Sequence, residues 1–544
     1  MRTAAAPNPP DLVRWPSASA RSYRELGFWR GETISQALRR AAESDPHGLA
    51  VADPHNRLTF AELIGAADRR AAGFAELGLR PGDVAIPQLP NCVEFAVTMA
   101  ALWFAGIVPV AALPVHRERE IAAFIAQTQA AVHIVPAADA LHDYPAMAAG
   151  LPGDQLRITL GSTAPAGMIP ISQVSASPRD FPATDPSGLA LLQCSTGSTG
   201  VPKLIPRTHD DYLYAGRACV DACALTKDDR YLAALPAAHN FALISPGVLG
   251  CLSAGIPVIF SPTPSPGDWF AAIEREQVTL TSLVPPVALT WLAAAGRRDA
   301  LASLRLLQIG GATCPPALAE RIEPELGCRL QQMFGMAEGM IACTRADDPP
   351  ATVVNTQGRP VSPADELRVV DATGRPTAGE GELQVRGPYT IRAYYRADRE
   401  ARAAFTADGF YRTGDLVRLL PGNVICVTGR VKDQINRGGE KIAPDELEDC
   451  LLRHPGVYDA VVLGLPDTFL GERVCAVIIR SKTAESEPVS VRGLMDHIRS
   501  QGLAGYKVLD RIEFVAAYPS VGVGKTARQE LRMALTAQLT KEAR

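Results

Sequence analysis

The rhythm of apolar residues constrains this chain most. From Thr33 to about residue 330, helix-like stretches such as ISQALRRAAES alternate with short apolar runs such as LAVAD, RLTF and VAIPQLP. Alternation of this kind predicts parallel sheets with helices packed on them. CVEFAVTMAALWFAGIVPV reads as a helix followed by a strand, and Glu94 and Gly106 within it mark a buried core helix in place of a membrane span. Past Thr352 the texture changes. ELRVV, GELQVRG, GFYRTGDLVRL and VICVTGR, separated by Gly, Pro and Asp turns, predict a smaller β subdomain over about residues 353–430. From Val431 a compact α+β unit is expected: PDELEDCLLRHP is an amphipathic helix opened by Pro444, VYDAVVLGLP and VCAVIIRS are strands, and VSVRGLMDHIRSQG is a second helix. The expected fold class is thus α/β and α+β. A large N-terminal domain, residues 1–430, combines βα-alternating sheets with the β subdomain, and a small mobile C-terminal domain spans 431–544. The boundary at Arg430–Lys432 has no long linker and reads as a hinge. The first thirty residues read as a loosely structured arm ending in the aromatic anchors Tyr23, Phe28 and Trp29.

A chain of 544 residues exceeds what one core supports. Its 47% hydrophobic and 21% charged content is ordinary for a globular protein, and a net charge of −4 gives no electrostatic case for nucleic acid or an anionic membrane. The N-terminus, MRTAAAPNPPDLVRW, lacks the apolar core of a signal peptide, and no run of about eighteen apolar residues occurs. A cytoplasmic protein without nucleic-acid or membrane partners is expected. The eleven cysteines are scattered with no C-x-x-C, and Cys219 with Cys223 lacks the further ligands of a metal set, so buried thiols are expected.

The chemistry is concentrated in LLQCSTGSTGVPKLIPR, between Leu191 and Arg207. Ser195, Thr196, Gly197, Ser198, Thr199 and Gly200 alternate hydroxyls with glycine, and Lys203 follows. Glycines let backbone N–H groups turn toward an anion, and hydroxyls add donors. The run Leu189–Leu192 in front reads as a buried strand, which places the loop at a strand's carboxyl end and marks it as a phosphate grip. The P-loop pattern G-x-x-x-x-G-K-[ST] does not apply. Its only GK[ST] is Gly524-Lys525-Thr526, and Pro519 stands where the first glycine belongs.

STGSTGVPK resembles the nucleotide loop of the adenylate-forming superfamily, whose members convert a carboxylic acid to acyl-AMP and pass it to a thiol. Further motifs carry the resemblance from about Tyr23 to Arg532. In QQMFGMAEG, Glu338 stands beyond a strand-like run; a carboxylate beside a triphosphate suits Mg²⁺, which takes one or two carboxylates with phosphate and water. The resemblance implies that role for Glu338 and puts Phe334 and Gly335 near the adenine. In Tyr411-Arg412-Thr413-Gly414-Asp415 the aspartate offers two acceptors to a ribose diol, and Arg430, fifteen residues beyond, is implied at the ribose and phosphate. By the same resemblance Lys432 is the pivot of the small domain, and the loop with Gly438 and Gly439 swings in for the thioester step. Lys525 on SVGVGKTARQELR would touch the attacking carboxylate and the α-phosphate and neutralise charge as it develops. ATP and Mg²⁺ are the implied cofactors.

Ala238-His239-Asn240-Phe241, with Ser245-Pro246-Gly247 and PKLIPRTHDDYLY, narrows the resemblance to the stand-alone aryl-acid ligases of siderophore biosynthesis, which load an aryl carrier protein bearing phosphopantetheine. His239 is then a catalytic candidate. Asn240, Phe241, Ser245 and Gly310 are implied in the acid pocket, with Gly311 in the adjoining adenine segment Gln308–Ala312. The absence of bulk at Gly310 and Gly311 is expected to leave room for a flat ring. Dihydroxybenzoate enzymes commonly pair Tyr with Ser at the Phe241 and Ser245 positions, and salicylate enzymes commonly pair Phe with Cys. This chain has Phe with Ser. A buried serine hydroxyl needs a partner, which favours 2,3-dihydroxybenzoate, with salicylate and 2-hydroxy heteroaryl acids as alternatives. A coenzyme A ligase shares all the nucleotide motifs, and a nucleotide-binding regulatory protein is the non-enzyme alternative.

Overall fold

The computed structural model describes residues 12–137, 142–195, 202–294, 299–396, 399–481, 489–501, 503, 506–521 and 525–542. Two parallel sheets organise the large domain. The first has the order Val108–Pro109, Val84–Pro87, Val132–Val135, Leu156–Thr159, Ile169–Pro170, all parallel. The second has nine strands, with a parallel centre running Arg329–Met336, Leu306–Gly310, Leu280–Leu283, Tyr231–Ala233, Val258–Phe260 and Leu49–Ala52. These central strands are buried on both faces, which is why most of their residues are apolar and the few polar ones, such as Gln308 and Gln331, are buried too. The helix Val93–Phe104 is buried along nearly its whole length, so the apolar stretch around it serves the core. No helix among the described residues is long and apolar enough to cross a membrane.

The strand Leu189–Cys194 is present and buried, but it pairs antiparallel with Leu204–Thr208. The phosphate-loop segment therefore joins the arms of a hairpin, and the helix His209–Ala222 begins only after the second arm. The four strands expected past Thr352 form one antiparallel sheet in the order Glu366–Val370, Gly381–Arg386, Tyr411–Leu420, Val424–Arg430. A turn closed by the Asp433 N–H on the Arg430 carbonyl follows, and Lys432 sits inside it. The small domain then opens with Ile435–Arg437.

In that domain, Val457–Asp467 and Gly471–Arg480 form the long central pair, with Arg511–Phe514 added in parallel. Ala460 and Val462 face the helices Pro444–Leu452 and Val491–Ser500, while Val461, Leu463 and Leu465 face the helix Arg528–Glu542. This last helix is absent from the elements expected above. Its signal lies in the strand it covers: VVLGL is apolar at successive positions, so both faces need a cover.

The N-terminal segment departs from its expectation. Ser17–Glu25 is a helix, and Trp15 and Trp29 are buried edge-to-face with ring centroids 5.2 Å apart. Their indole N–H groups donate to the carbonyls of Gly387 and Pro388, each at 3.1 Å. The segment is anchored because each large ring buries its apolar body and still satisfies its one donor. No disulfide forms among the described residues, and most of the eleven cysteines are buried thiols.

Candidate active site

A cleft of about 1010 Å³ lies between the domains, and most of the singled-out motifs open onto it. Ser195, His239, Asn240, Phe241, Ser245, Gly311, Phe334, Gly335, Glu338, Asp415 and Arg430 line it from the large domain, and Lys441, Lys507, Thr526 and Arg528 from the small one. Thr196–Gly200 lie outside the described residues, as does the side chain of Lys525. The backbone of Lys525–Thr526 pairs with Ser520–Val521 in a short antiparallel hairpin whose Thr526 faces the cleft. Lys203, Gly310, Lys432, Gly438 and Gly439 do not line the cleft. The small domain thus turns its lysine hairpin inward and the Gly438–Gly439 turn away.

Glu338 occupies the tight turn between Arg329–Met336 and Gly339–Cys343. Its backbone carbonyl accepts from the Ile391 N–H at 2.7 Å. The buried Arg207 donates to the neighbouring Ala337 carbonyl at 2.7 Å and to Tyr389 O at 2.9 Å, with Asp211 neutralising its charge. The Tyr394 hydroxyl donates to Glu338 Oε1 at 2.7 Å, and the Tyr411 hydroxyl lies 3.2 Å from that of Tyr394. Burial pushes both phenols up, so they stay neutral donors. The Lys203 ammonium lies over the Tyr394 ring at 4.9 Å, next to the carboxylate and not on the cleft wall. Glu338 Oε2 has no hydrogen-bond partner among the described residues. No group of three or more His, Cys, Asp or Glu among them could hold a metal. One carboxylate with a bare oxygen fits a Mg²⁺ that takes its other ligands from phosphate and water; it does not fit a cage of protein ligands.

Asp415 and Arg430 are register partners on adjacent strands, and Arg430 Nε lies 2.9 Å from Asp415 Oδ1. Burial nevertheless pushes the Asp415 carboxyl up to about 6, against the pull of Arg430 and a hydrogen bond with Thr413. In the small domain, burial raises Glu448 to about 7 although Arg528 holds it at 2.6 Å. Arg528 follows the lysine hairpin directly, so this pair ties the hairpin to the helix Pro444–Leu452.

The acid-pocket candidates cluster at the helix Asn240–Ile244. His239 caps it, with Nδ1 accepting from the Phe241 N–H at 3.3 Å. Asn91 holds the preceding loop, donating to Ala233 O and Leu235 O and accepting from Ala237 N. A Cβ at Gly310 would stand 2.6 Å from Met333 O, 2.9 Å from Met333 Cβ and 3.2 Å from the Phe241 ring, so the space beside Gly310 is filled by Met333 and Phe241. Ser245 is buried beside the Cys219 thiol, whose pKa burial raises and the serine hydroxyl pulls slightly back. Sequence reasoning singles out none of Arg207, Tyr212, Gln193, Tyr394 or Tyr411 as site residues. Their signal is weak: polar residues embedded in apolar runs, as in LLQC and PRTHDDYLY, mark groups that need buried partners.

Residues 38–395 match the family model of AMP-binding enzymes and residues 446–525 that of the AMP-binding enzyme C-terminal domain. The chain is 48% identical over 532 residues to the 2,3-dihydroxybenzoate-AMP ligase of Bacillus subtilis, covering 96% of this chain and 98% of that protein. It is 43% identical over 533 residues to the salicyl-AMP ligase / salicyl-S-ArCP synthetase of Mycobacterium tuberculosis, covering 96% and 94%. The apo structure of MbtA from Mycobacterium smegmatis matches with a TM-score of 0.74 at 42% identity, over 96% of this chain and 98% of that one. The shared fold, the motif-lined cleft and these likenesses agree: the chain belongs to the AMP-binding enzymes, the adenylate-forming family that its Ser/Thr/Gly loop resembles.

Proposed function

We propose that this protein is an aryl-acid AMP ligase. A carboxylate oxygen of the acid attacks the α-phosphorus of ATP and the bond to pyrophosphate breaks; a carrier-protein phosphopantetheine thiol then attacks the acyl carbon and AMP leaves. The observation that carries this reading is the cleft onto which His239–Phe241, Phe334–Glu338, Asp415–Arg430 and the Lys525–Thr526 hairpin converge. The loop Ser195–Gly200, with Lys203, grips the phosphates. Asp415 takes the ribose hydroxyls, and Arg430 stands beside them. Phe334, Gly335 and Gly311 form the adenine wall. Glu338 would hold Mg²⁺, which would supply charge neutralisation at the phosphates. Lys525 serves the charge that grows as two anions meet, and His239 stands next to the reacting carboxylate. Lys432 is the hinge, and the Gly438–Gly439 turn enters for the second step. The proposed setting is cytoplasmic siderophore synthesis.

The proposed acid is 2,3-dihydroxybenzoate, held by Asn240 and by Ser245, against a wall of Phe241 backed by Gly310. Salicylate is the second reading, favoured by one observation: the Cys219 thiol lies close enough to Ser245 for the two to interact. The test is pyrophosphate exchange over a panel of substituted benzoates, followed by acyl transfer to a phosphopantetheinylated aryl carrier protein or to coenzyme A. Exchange with ortho-hydroxybenzoates and transfer to the carrier protein are expected. No exchange with any benzoate would refute the reading, and transfer to coenzyme A alone would make the protein a coenzyme A ligase.

A further inference from the structure

The amide of Asn240 is held from behind. Tyr212, fully buried on the helix His209–Ala222, places its hydroxyl 3.1 Å from Asn240 Oδ1. The same hydroxyl lies 3.0 Å from Nε2 of Gln193, which is buried on Leu189–Cys194 just before the Ser/Thr/Gly loop. A tyrosine hydroxyl has one proton to give. Because the Gln193 N–H donates to its oxygen, that proton goes to Asn240 Oδ1. Burial pushes the Tyr212 phenol up, so it keeps the proton throughout the working range. The Arg207 guanidinium lies over the other side of the ring, 5.0 Å from its centroid, and fixes its plane.

With Oδ1 occupied, Asn240 Nδ2 has no partner among the described residues, and Asn240 lines the cleft. At this point the cleft therefore presents hydrogen-bond donors. An oxygen ortho to a carboxylate can accept from them. An aromatic amine in the same place cannot: its own N–H groups would face the N–H₂ of Asn240, and its lone pair is drawn into the ring.

We infer that Tyr212, directed by Gln193, is a positioning residue that locks the Asn240 amide with its N–H₂ toward the cleft, and that this relay selects ortho-hydroxy over ortho-amino aryl acids. The inference rests on the proposed function, because it takes the cleft beside Asn240 as the acid pocket. A freely rotating amide could turn Oδ1 to the cleft and accept from an amine as readily as it donates to a hydroxyl. The relay removes that choice. Selectivity between two nearly isosteric acids is thereby set by a side chain that touches neither.

The experiment compares salicylate with 2-aminobenzoate by pyrophosphate exchange in the wild type, Tyr212→Phe and Gln193→Glu. The wild type should prefer salicylate. Tyr212→Phe leaves the amide free to turn: kcat/KM for salicylate should fall roughly three- to tenfold through KM, while 2-aminobenzoate holds or improves, so their ratio narrows by at least about threefold. The KM for ATP should stay unchanged. Gln193→Glu keeps the tyrosine but reverses the relay, since a carboxylate takes the Tyr212 proton and the phenol oxygen then accepts from Asn240 Nδ2. It should move the ratio in the same direction. A wild-type ratio in both variants, or equal losses for both acids, overturns the inference while leaving the proposed function standing. Absence of exchange with every benzoate in the wild type overturns both.

Discussion

Asp449 of the small domain accepts a hydrogen bond at 2.8 Å from the backbone N–H of Ala317, in the first turn of the large-domain helix Pro316–Leu326. Pro315 and Pro316 leave that helix end without a side-chain cap of its own, so the cap comes from the other domain. Arg453, one turn beyond Asp449, adds an ion pair to Glu320 at 3.1 Å. The contact fixes the small domain with its lysine hairpin toward the cleft. Asp449→Ala should therefore weaken this orientation by about 0.5–2 kcal/mol, the usual cost of losing an N-cap. Pyrophosphate release should slow by up to about tenfold while transfer of preformed aryl-AMP to the thiol is unchanged or faster. Equal effects on the two half-reactions, measured separately, would show that the contact does not discriminate between orientations.

Lys525→Ala should lower the adenylation rate by about 10²-fold or more and leave the fold and ATP affinity near normal, because a preorganised charge acts on the transition state. Single-turnover pyrophosphate release, with ATP binding measured in parallel, checks this. Near-normal release from the variant would remove Lys525 from the mechanism.

Gly439→Leu should spare aryl-AMP formation and cripple transfer to the carrier thiol. Gly439 has φ of +92°, and nothing lies within 4 Å of where a Cβ would stand. The leucine thus strains its own turn by about 1 kcal/mol and meets no neighbour in this orientation. Its bulk matters only when the turn moves to the cleft. Comparable losses in both half-reactions would mean that the turn serves no single step.

Ser245→Cys should shift preference from 2,3-dihydroxybenzoate toward salicylate by roughly three- to tenfold, the value of one neutral hydrogen bond, since a thiol is a weaker partner than a hydroxyl. kcat/KM for the two acids decides. If the variant keeps the wild-type ratio, Ser245 does not read the 3-position.

Asp415 gives a pH signature with two opposite signs. Its folded pKa of about 6 exceeds the unfolded value of roughly 3.9. The protonated form is thus favoured in the folded state. That contribution to stability is complete below pH about 4 and is lost as pH rises through about 6. The proposed ribose contact runs the other way, because the ionised carboxylate is the better acceptor. The KM for ATP should fall as pH rises through 6 in the wild type, and the Asp415→Asn variant should lose that response together with the stability slope. Identical profiles for the two proteins would detach Asp415 from the nucleotide.

Local pattern makes much of this fold legible. The strands ending at Arg430 and the helix opened by Pro444 appear where their periodicities put them, because turn residues punctuate them and apolar faces define them. What escapes is decided at long range. The strand Leu189–Cys194 pairs antiparallel with its successor and also bridges in parallel from Leu192 to Val110, a contact between segments about eighty residues apart. Gly310 reads as space for a ligand, but Met333 and Phe241 pack against it, and no spacing rule brings those three together. Tyr212 and Gln193 are invisible for the same reason: a polar side chain in an apolar run shows that it needs a partner but not which one.

The tryptophans near the N-terminus grip one side of the stretch Gly387–Tyr394, whose other side carries Ile391 and Tyr394 against Glu338. This stretch is a strut between the two tryptophans and Glu338, the carboxylate proposed for magnesium. The beginning of the protein is consequently no neutral handle. Removing Trp15 and Trp29 would unfasten the strut at its far end and loosen Glu338 with every cleft-lining residue still in place, so, if Glu338 takes the proposed metal role, the truncated protein would demand more magnesium.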